Sequence, residues 1–250
     1  MALKVAVLIS GRGSNLQALI DAFGPQMANS PVQIVLVLSN RPEAQGLERA
    51  AKAGLKTEIV DHKAFARRDD FDVAMDREIR AAGAEFVVLA GFMRLLTEGF
   101  INAWKDRMIN IHPALLPSFK GLDTHKRALE AGVKLHGCTV HFVRHETDTG
   151  PIIAQAAVPV LPGDDEAMLA TRVLRAEHKL YPLALRLVAE GKVRVEDAGD
   201  SDLLSGSTVD LIRFEDAKEA VQKRIDAGET NDGLELKLPT CTRLLMGITK

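Results

Sequence analysis

Apolar runs and helical spacings alternate along the first half of the chain. Lys4–Ile9 (KVAVLI), Val32–Leu38 (VQIVLVL), Thr57–Val60, Phe86–Ala90 (FVVLA) and Met108–Ile111 are short, extended-type runs rich in β-branched residues. Between them, Leu16–Phe23, a stretch ending near Ala53 and Phe71–Ala82 place apolar residues at helical intervals, with Gly54 as a stop. Strands that lack a polar face need cover on both sides, so this order predicts a parallel sheet with helices on both faces. After Lys120 the pattern changes. His136–Val143 (HGCTVHFV) and Ile152–Pro159 alternate more strictly and suit an antiparallel pair. A long helix is expected from about Asp164 to Glu190, with Gly191 as its stop and Pro182 as a candidate kink. The fold class is therefore α/β: a doubly wound, mostly parallel sheet with an antiparallel C-terminal part. Ala198–Thr208 reads as an acidic linker, Ile212–Ala227 as one amphipathic helix and Gly228–Gly233 as a loop.

In doubly wound sheets, ligands bind outside the carboxyl ends of the strands, which directs attention to the segments that follow each strand. The first is Gly11-Arg12-Gly13-Ser14-Asn15, between a strand and a helix. Two glycines allow a tight turn, and the helix start offers free N–H groups and partial positive charge to an anion. The third glycine of a dinucleotide fingerprint is replaced by Leu16, which disfavours NAD. Two readings stay open here: a site for one phosphate, or a tight turn with a serine N-cap and no ligand.

The fifth strand leads into Asn110-Ile111-His112-Pro113, where alternation puts Asn110 and His112 on one side. A polar turn, His145-Glu146-Thr147-Asp148-Thr149-Gly150, lies between the last two strands. An amide can stabilise the oxyanion of acyl transfer, an imidazole can move a proton, and a carboxylate can orient the imidazole and favour its charged form. As an isolated residue, a histidine beside proline in a loop is more often structural. Cys138 reads as a small buried hydrophobe, and Lys126-Arg127 as a solvated helix face.

Composition narrows the class without naming a reaction. With 250 residues, 46% of them hydrophobic, the chain can bury a large core, and no run approaches the length of a membrane span. Two cysteines argue against a disulfide framework or a thiolate metal site and suit a reducing, cytoplasmic setting. A net charge of −2 speaks against nonspecific coating of nucleic acid. That total is uneven: residues 1–194 hold 25 basic and 22 acidic side chains, and residues 195–250 hold 7 and 12.

The pieces LISGRGSNLQALI, SNRPEAQGLERA, VVLAGFMRLL, INIHPALLPSFKGLDTHKRALEAG, HGCTVHFVRHETDTGPIIAQ and EHKLYPLAL carry a resemblance. In this order and spacing, residues 4 to about 194 resemble the folate-dependent formyltransferases, and the G-R-G-S-N-L turn resembles the phosphoribosylglycinamide formyltransferase family most narrowly. The resemblance implies transfer of a formyl group from 10-formyltetrahydrofolate, as cosubstrate, to the amine of glycinamide ribonucleotide, directly and without a metal. It implies that Gly13, Ser14, Asn15 and Glu177 bind the phosphorylated substrate. Asn110, His112 and Asp148 would be the catalytic set. Arg68, Met93, Arg94, Leu95 and Leu96 would line the folate site, with Asn110 and the loop Val143, Arg144, His145, Glu146, Thr147 and Asp148.

Two departures stand out: Leu174 offers no hydrogen bond at a phosphate-side position, and Arg67 competes with Arg68 for the folate. His125 and His141 would belong to the surroundings of the site or simply to the fold. The implied organisation is a formyltransferase domain over 1–194, with a phosphate-binding half (1–106) and a catalytic, folate-binding half (107–194), followed by an acidic extension over 195–250. Within that extension, the 212–227 helix is expected to contribute to a homodimer contact. Rival readings are a formyltetrahydrofolate hydrolase, which would need a regulatory domain ahead of Lys4, a tRNA formyltransferase, which would need a basic tail, or a noncatalytic binder of folate or nucleotide. No membrane or nucleic-acid partner is expected.

Overall fold

The computed structural model describes residues 1–193, 195–196 and 208–209, with side chains for 1–193 and 195. The 212–227 helix with its dimer contact, the 228–233 loop, Cys241 and nearly all of the 198–208 linker lie outside the described residues.

Seven strands form one sheet: β1 (Leu3–Ile9), β2 (Val32–Ser39), β3 (Thr57–Ile59), β4 (Phe86–Leu89), β5 (Met108–His112), β6 (Leu135–Phe142) and β7 (Ile152–Pro159). Their spatial order is β3-β2-β1-β4-β5-β6-β7. The first five run parallel, and β6 and β7 are antiparallel, as the patterning predicts. The helices are α1 (Ser14–Phe23), α2 (Gln45–Lys52), α3 (Arg68–Ala81), α4 (Glu98–Ala103), α5 (Thr124–Glu130) and α6 (Glu166–Ala189). A short antiparallel pair, β8 (Val195–Glu196) with β9 (Thr208–Val209), follows.

The unbroken apolarity of β1 has a direct cause. Val5, Val7 and Ile9 enter one core with Leu16, Leu19 and Ile20 of α1 and Tyr181 and Leu185 of α6. Ala6 and Leu8, pointing the other way, enter a second core with Phe71, Met75 and Ile79 of α3 and with Trp104. The order reverses at β1 and β4, so the carboxyl ends of these strands open the crevice in which such folds bind ligands.

Several elements differ from the sequence reading. α3 starts at Arg68 rather than Phe71, because Asp69 and Asp70 in its first turn complement the helix dipole. α4 and α5 have six and seven residues, too few to display a period. The third and fourth strands stop at Ile59 and Leu89, one residue early. α6 runs unbroken through Pro182. Lys126 and Arg127 are exposed on α5, as expected of a solvated face, and the Arg127 guanidinium in addition donates to the Lys120 carbonyl at 2.6 Å and lies over the Phe119 ring. Cys138 is fully buried, and burial pushes its thiol up to about 12, so it packs as a hydrophobe.

His136 on β6 is also fully buried, edge-on to the rings of Phe119 and His125. Burial first, and the neighbouring His125 second, push its imidazole down to about 4. The unfolded chain takes up this proton near its ordinary value of 6.5, whereas the folded protein resists until about 4. The unfolded state therefore binds more protons in that window, and stability falls as pH drops through it. Urea unfolding should show wild-type protein losing about 2 kcal/mol more than His136→Phe between neutral pH and about pH 4.5. Equal losses would remove His136 as the cause.

Candidate active site

The glycine loop follows β1. Gly13 is the N-cap of α1 with a φ of 71°, a left-handed conformation that favours glycine, and it offers no side-chain cap. Ser14 is instead the first residue of the helix, which corrects the serine N-cap reading. A Cβ on Gly13 would lie 2.6 Å from Gly46 Cα, since α2 packs directly against the loop. The Gly46 N–H donates to the Gly11 carbonyl at 3.0 Å, and Arg49 Nε donates to the Arg12 carbonyl at 2.9 Å. The loop is thus held from below. Gly13→Ala combines an unfavourable φ with a backbone collision, so it should lower stability by at least about 2 kcal/mol. Urea denaturation checks this, and an unchanged midpoint would contradict the packing.

Asn15 is turned into the protein. Its Nδ2 donates to Glu177 Oε2 at 2.7 Å, and its Oδ1 is buried with no partner among the described residues. Glu177 comes from α6 and is nearly buried; burial raises its carboxyl above the ordinary range, with the Asn15 bond acting against this. Residues 162 apart in sequence thereby share the floor beside the glycine loop. Leu174 sits one turn earlier, half-buried.

At the end of β5 the geometry is tighter. His112 is 5% exposed, with Nδ1 3.3 Å from Asp148 Oδ2 and Nε2 3.0 Å from the Phe119 carbonyl. Both neighbours are acceptors, so a hydrogen on either ring nitrogen has a partner within the fold. Asp148 holds a left-handed φ of 56° in the turn between β6 and β7, and its Oδ2 accepts from the Gly121 N–H at 2.9 Å. That bond ties the turn to the loop after β5. Thr139 braces the same loop, donating to the Ala114 carbonyl and accepting from the Leu116 N–H.

His141 lies directly across from Asn110 in the β5–β6 register. Burial lowers its basicity and keeps the imidazole neutral. Its Nδ1 donates to the Phe142 carbonyl at 2.9 Å, which leaves Nε2 to accept from Asn110 Nδ2 at 3.3 Å. Nε2 also lies 3.7 Å from Asp148 Oδ1. His141 is therefore both a histidine bonded within the fold and the group that orients Asn110. One amide hydrogen of Asn110 is engaged, and the other has no partner among the described residues.

The third wall is the loop after β4. The Ser10 N–H donates to the Gly91 carbonyl, Met93 N–H to Ser10 Oγ at 2.8 Å, and Thr97 N–H to Asp72 Oδ2 at 2.7 Å. Pinned at both ends, the loop exposes Met93 and Leu95, half-buries Leu96 and lays Arg94 over Phe71. Arg94 Nε is buried with no partner among the described residues. Arg67 forms an exposed ion pair with Asp69, whereas Arg68 is close enough to Asp72 to oppose the rise of that carboxyl. In the turn after β6, Arg144 is tied to Asp106, while His145, Glu146 and Thr147 are exposed. Asp72 and Ser10 are absent from the sequence reading of the site. Asp72 had a signal: with Met75 and Ile79 it falls on the buried helical stripe, where a carboxylate needs a partner.

Among the described residues, no group of three or more His, Cys, Asp or Glu is arranged to hold a metal ion, and no helix is long and apolar enough to cross a membrane.

Comparison with known proteins gives consistent matches. The model of the formyl transferase family matches residues 3–185. The trifunctional purine biosynthetic protein adenosine-3 of Drosophila pseudoobscura pseudoobscura is 54% identical over 191 residues, covering 76% of this chain; the chain spans only 14% of that relative. The phosphoribosylglycinamide formyltransferase of Escherichia coli K12 is 45% identical over 195 residues, covering 78% of this chain and 91% of the relative. The crystal structure of glycinamide ribonucleotide transformylase 1 from Symbiobacterium toebii superposes with a TM-score of 0.75 at 44% identity, covering 83% of this chain and 93% of that one.

Proposed function

Since the chain belongs to the formyl transferase family, we propose that it transfers the formyl group of 10-formyltetrahydrofolate to the amine of 5′-phosphoribosylglycinamide, giving formylglycinamide ribonucleotide and tetrahydrofolate. The observation that carries this reading is the convergence of Asn110, His112 and Asp148 with a glycine loop at the carboxyl end of one sheet.

The residues fit both substrates. The amides at the start of α1 suit a phosphate, and the buried Asn15 Oδ1 beside Glu177 suits hydroxyl or amine donors of a phosphoribosyl amine. In this reading the 1–106 half supplies the phosphate loop, and the 107–194 half supplies the catalytic groups. The exposed Met93 and Leu95, the unpartnered Arg94 Nε and the 143–148 turn suit a flat ring system with polar edges, and Arg68 suits a carboxylate. Arg144 contributes through its backbone, because its guanidinium is taken by Asp106.

10-Formyltetrahydrofolate supplies a formyl carbon on a nitrogen that departs once protonated. The second hydrogen of the Asn110 amide meets the negative charge that develops on the formyl oxygen. The His112 imidazolium gives a proton to the departing nitrogen, exchanging its Phe119 carbonyl contact for that nitrogen, and regains one from the attacking amine. Asp148 holds the ring in register and balances its charge. No bond to the enzyme forms at any point.

The test is purified protein with both substrates, following folate absorbance and formylated product. Consumption that requires 5′-phosphoribosylglycinamide is expected. Consumption without it would replace the transferase reading by hydrolysis, and none at all would leave a binding protein.

A further inference from the structure

α3 carries a carboxylate that the reaction does not use. Asp72 is 3% exposed, one turn before Met75 on the face that packs under the sheet. Its Oδ2 accepts the Thr97 N–H at 2.7 Å, and its Oδ1 is buried without a partner among the described residues. Arg68 and Arg94 supply the positive charge around it, against the burial that raises its carboxyl. A buried carboxylate is costly, so its cost must be offset by what it holds.

What it holds is the far end of the loop after β4. Thr97 closes that loop and N-caps α4, with its own Oγ1 accepting from the Phe100 N–H. The near end is fixed through Met93 and Ser10. Between the two anchors lie Arg94, Leu95 and Leu96, which among the described residues make no backbone–backbone hydrogen bond that would fix them otherwise.

We propose that Asp72 is a positioning residue for the folate: by accepting the Thr97 N–H from beneath, it sets the shape of the 93–97 wall and the placement of Arg94, without touching either substrate. This inference rests on the reading of that wall as the folate site, and it predicts a selective effect. Distortion of the wall alters the fit of the folate, while the glycine loop, Glu177 and His112 are held by other bonds.

The experiment uses the full chain and two readouts. In Asp72→Ala, KM for 10-formyltetrahydrofolate should rise at least about 10-fold, with KM for 5′-phosphoribosylglycinamide and kcat within about threefold of wild type. Asp72→Asn retains an acceptor oxygen of the same reach and should recover KM to within about threefold of wild type. Thr97→Pro removes the donor from the other side at a φ of −74°, which already suits proline, and should reproduce the Ala phenotype if Asp72→Ala folds poorly.

Amide hydrogen exchange, which needs no substrate, should show residues 93–97 exchanging at least about 10-fold faster in Asp72→Ala than in wild type. Unchanged protection of that loop would overturn the proposal, as would an equal rise in both KM values or an Asn variant as impaired as the Ala variant. A wild-type protein that ignores 5′-phosphoribosylglycinamide while the loop loosens as expected would instead overturn the functional reading and leave Asp72 as the loop's anchor.

Discussion

His112→Ala is expected to lower turnover by about 10²-fold or more, the scale of a lost general acid–base group. The imidazole sits in a nearly closed slot between two acceptors, the Asp148 carboxylate and the Phe119 carbonyl. Acceptors at both ring nitrogens hold the imidazole in place and keep it aimed along one line. Alanine removes the proton carrier and leaves Asp148 facing an empty slot, with the Gly121 N–H at 2.9 Å and His141 Nε2 at 3.7 Å as its remaining neighbours among the described residues. Binding of both substrates should survive, because the glycine loop and the 93–97 wall make no bond to His112. The loss should therefore appear in kcat, with each KM within a few-fold of wild type. Steady-state kinetics on protein with unchanged far-ultraviolet circular dichroism makes the measurement. Turnover near wild type would remove His112 from the chemistry.

Asn110→Ala should cost about 10²- to 10³-fold in kcat, the range seen when one donor to a developing oxyanion is removed. The amide is oriented before any substrate arrives, because a neutral His141 accepts one of its hydrogens at 3.3 Å and leaves the other pointing onward. Asn110→Asp separates donation from shape. It preserves the outline, removes both hydrogens and sets a negative charge where negative charge is to be stabilised. Its kcat should be no higher than that of the alanine variant. An aspartate variant with wild-type kcat would mean that the oxygen of this side chain, or its volume alone, matters.

The centre of the sheet was legible because β1 and β4 are buried on both faces: Val5, Val7 and Ile9 look into one core and Ala6 and Leu8 into the other, so no polar residue interrupts the run. The phosphate loop was legible because its turn chemistry lies in five consecutive residues. Its cap was not, since the choice between Gly13 and Ser14 depends on α2, whose Gly46 comes against the loop from 33 positions further along. Asn110 and His112 announce themselves by alternation on one strand, but their supports are distant in sequence. His141 could be judged only once the register set it opposite Asn110, and Asp148 only once its turn reached Gly121. Asp72 was hidden by its company, a polar residue in the same helix turn as Phe71 that looks like surface until the stripe through Met75 and Ile79 is drawn.

The cross-strand pairing of Asn110 with His141 bears on how the chain tolerates insertions and deletions. Neighbours on a strand point to opposite faces, so one residue gained or lost within β6 would turn His141 away from Asn110 and carry Thr139 from under the His112 loop in the same stroke. The turn at 131–134, ahead of that strand, has no such bookkeeping and can change length while the register stays whole. For this part of the molecule, divergence in length is confined to the connections between strands.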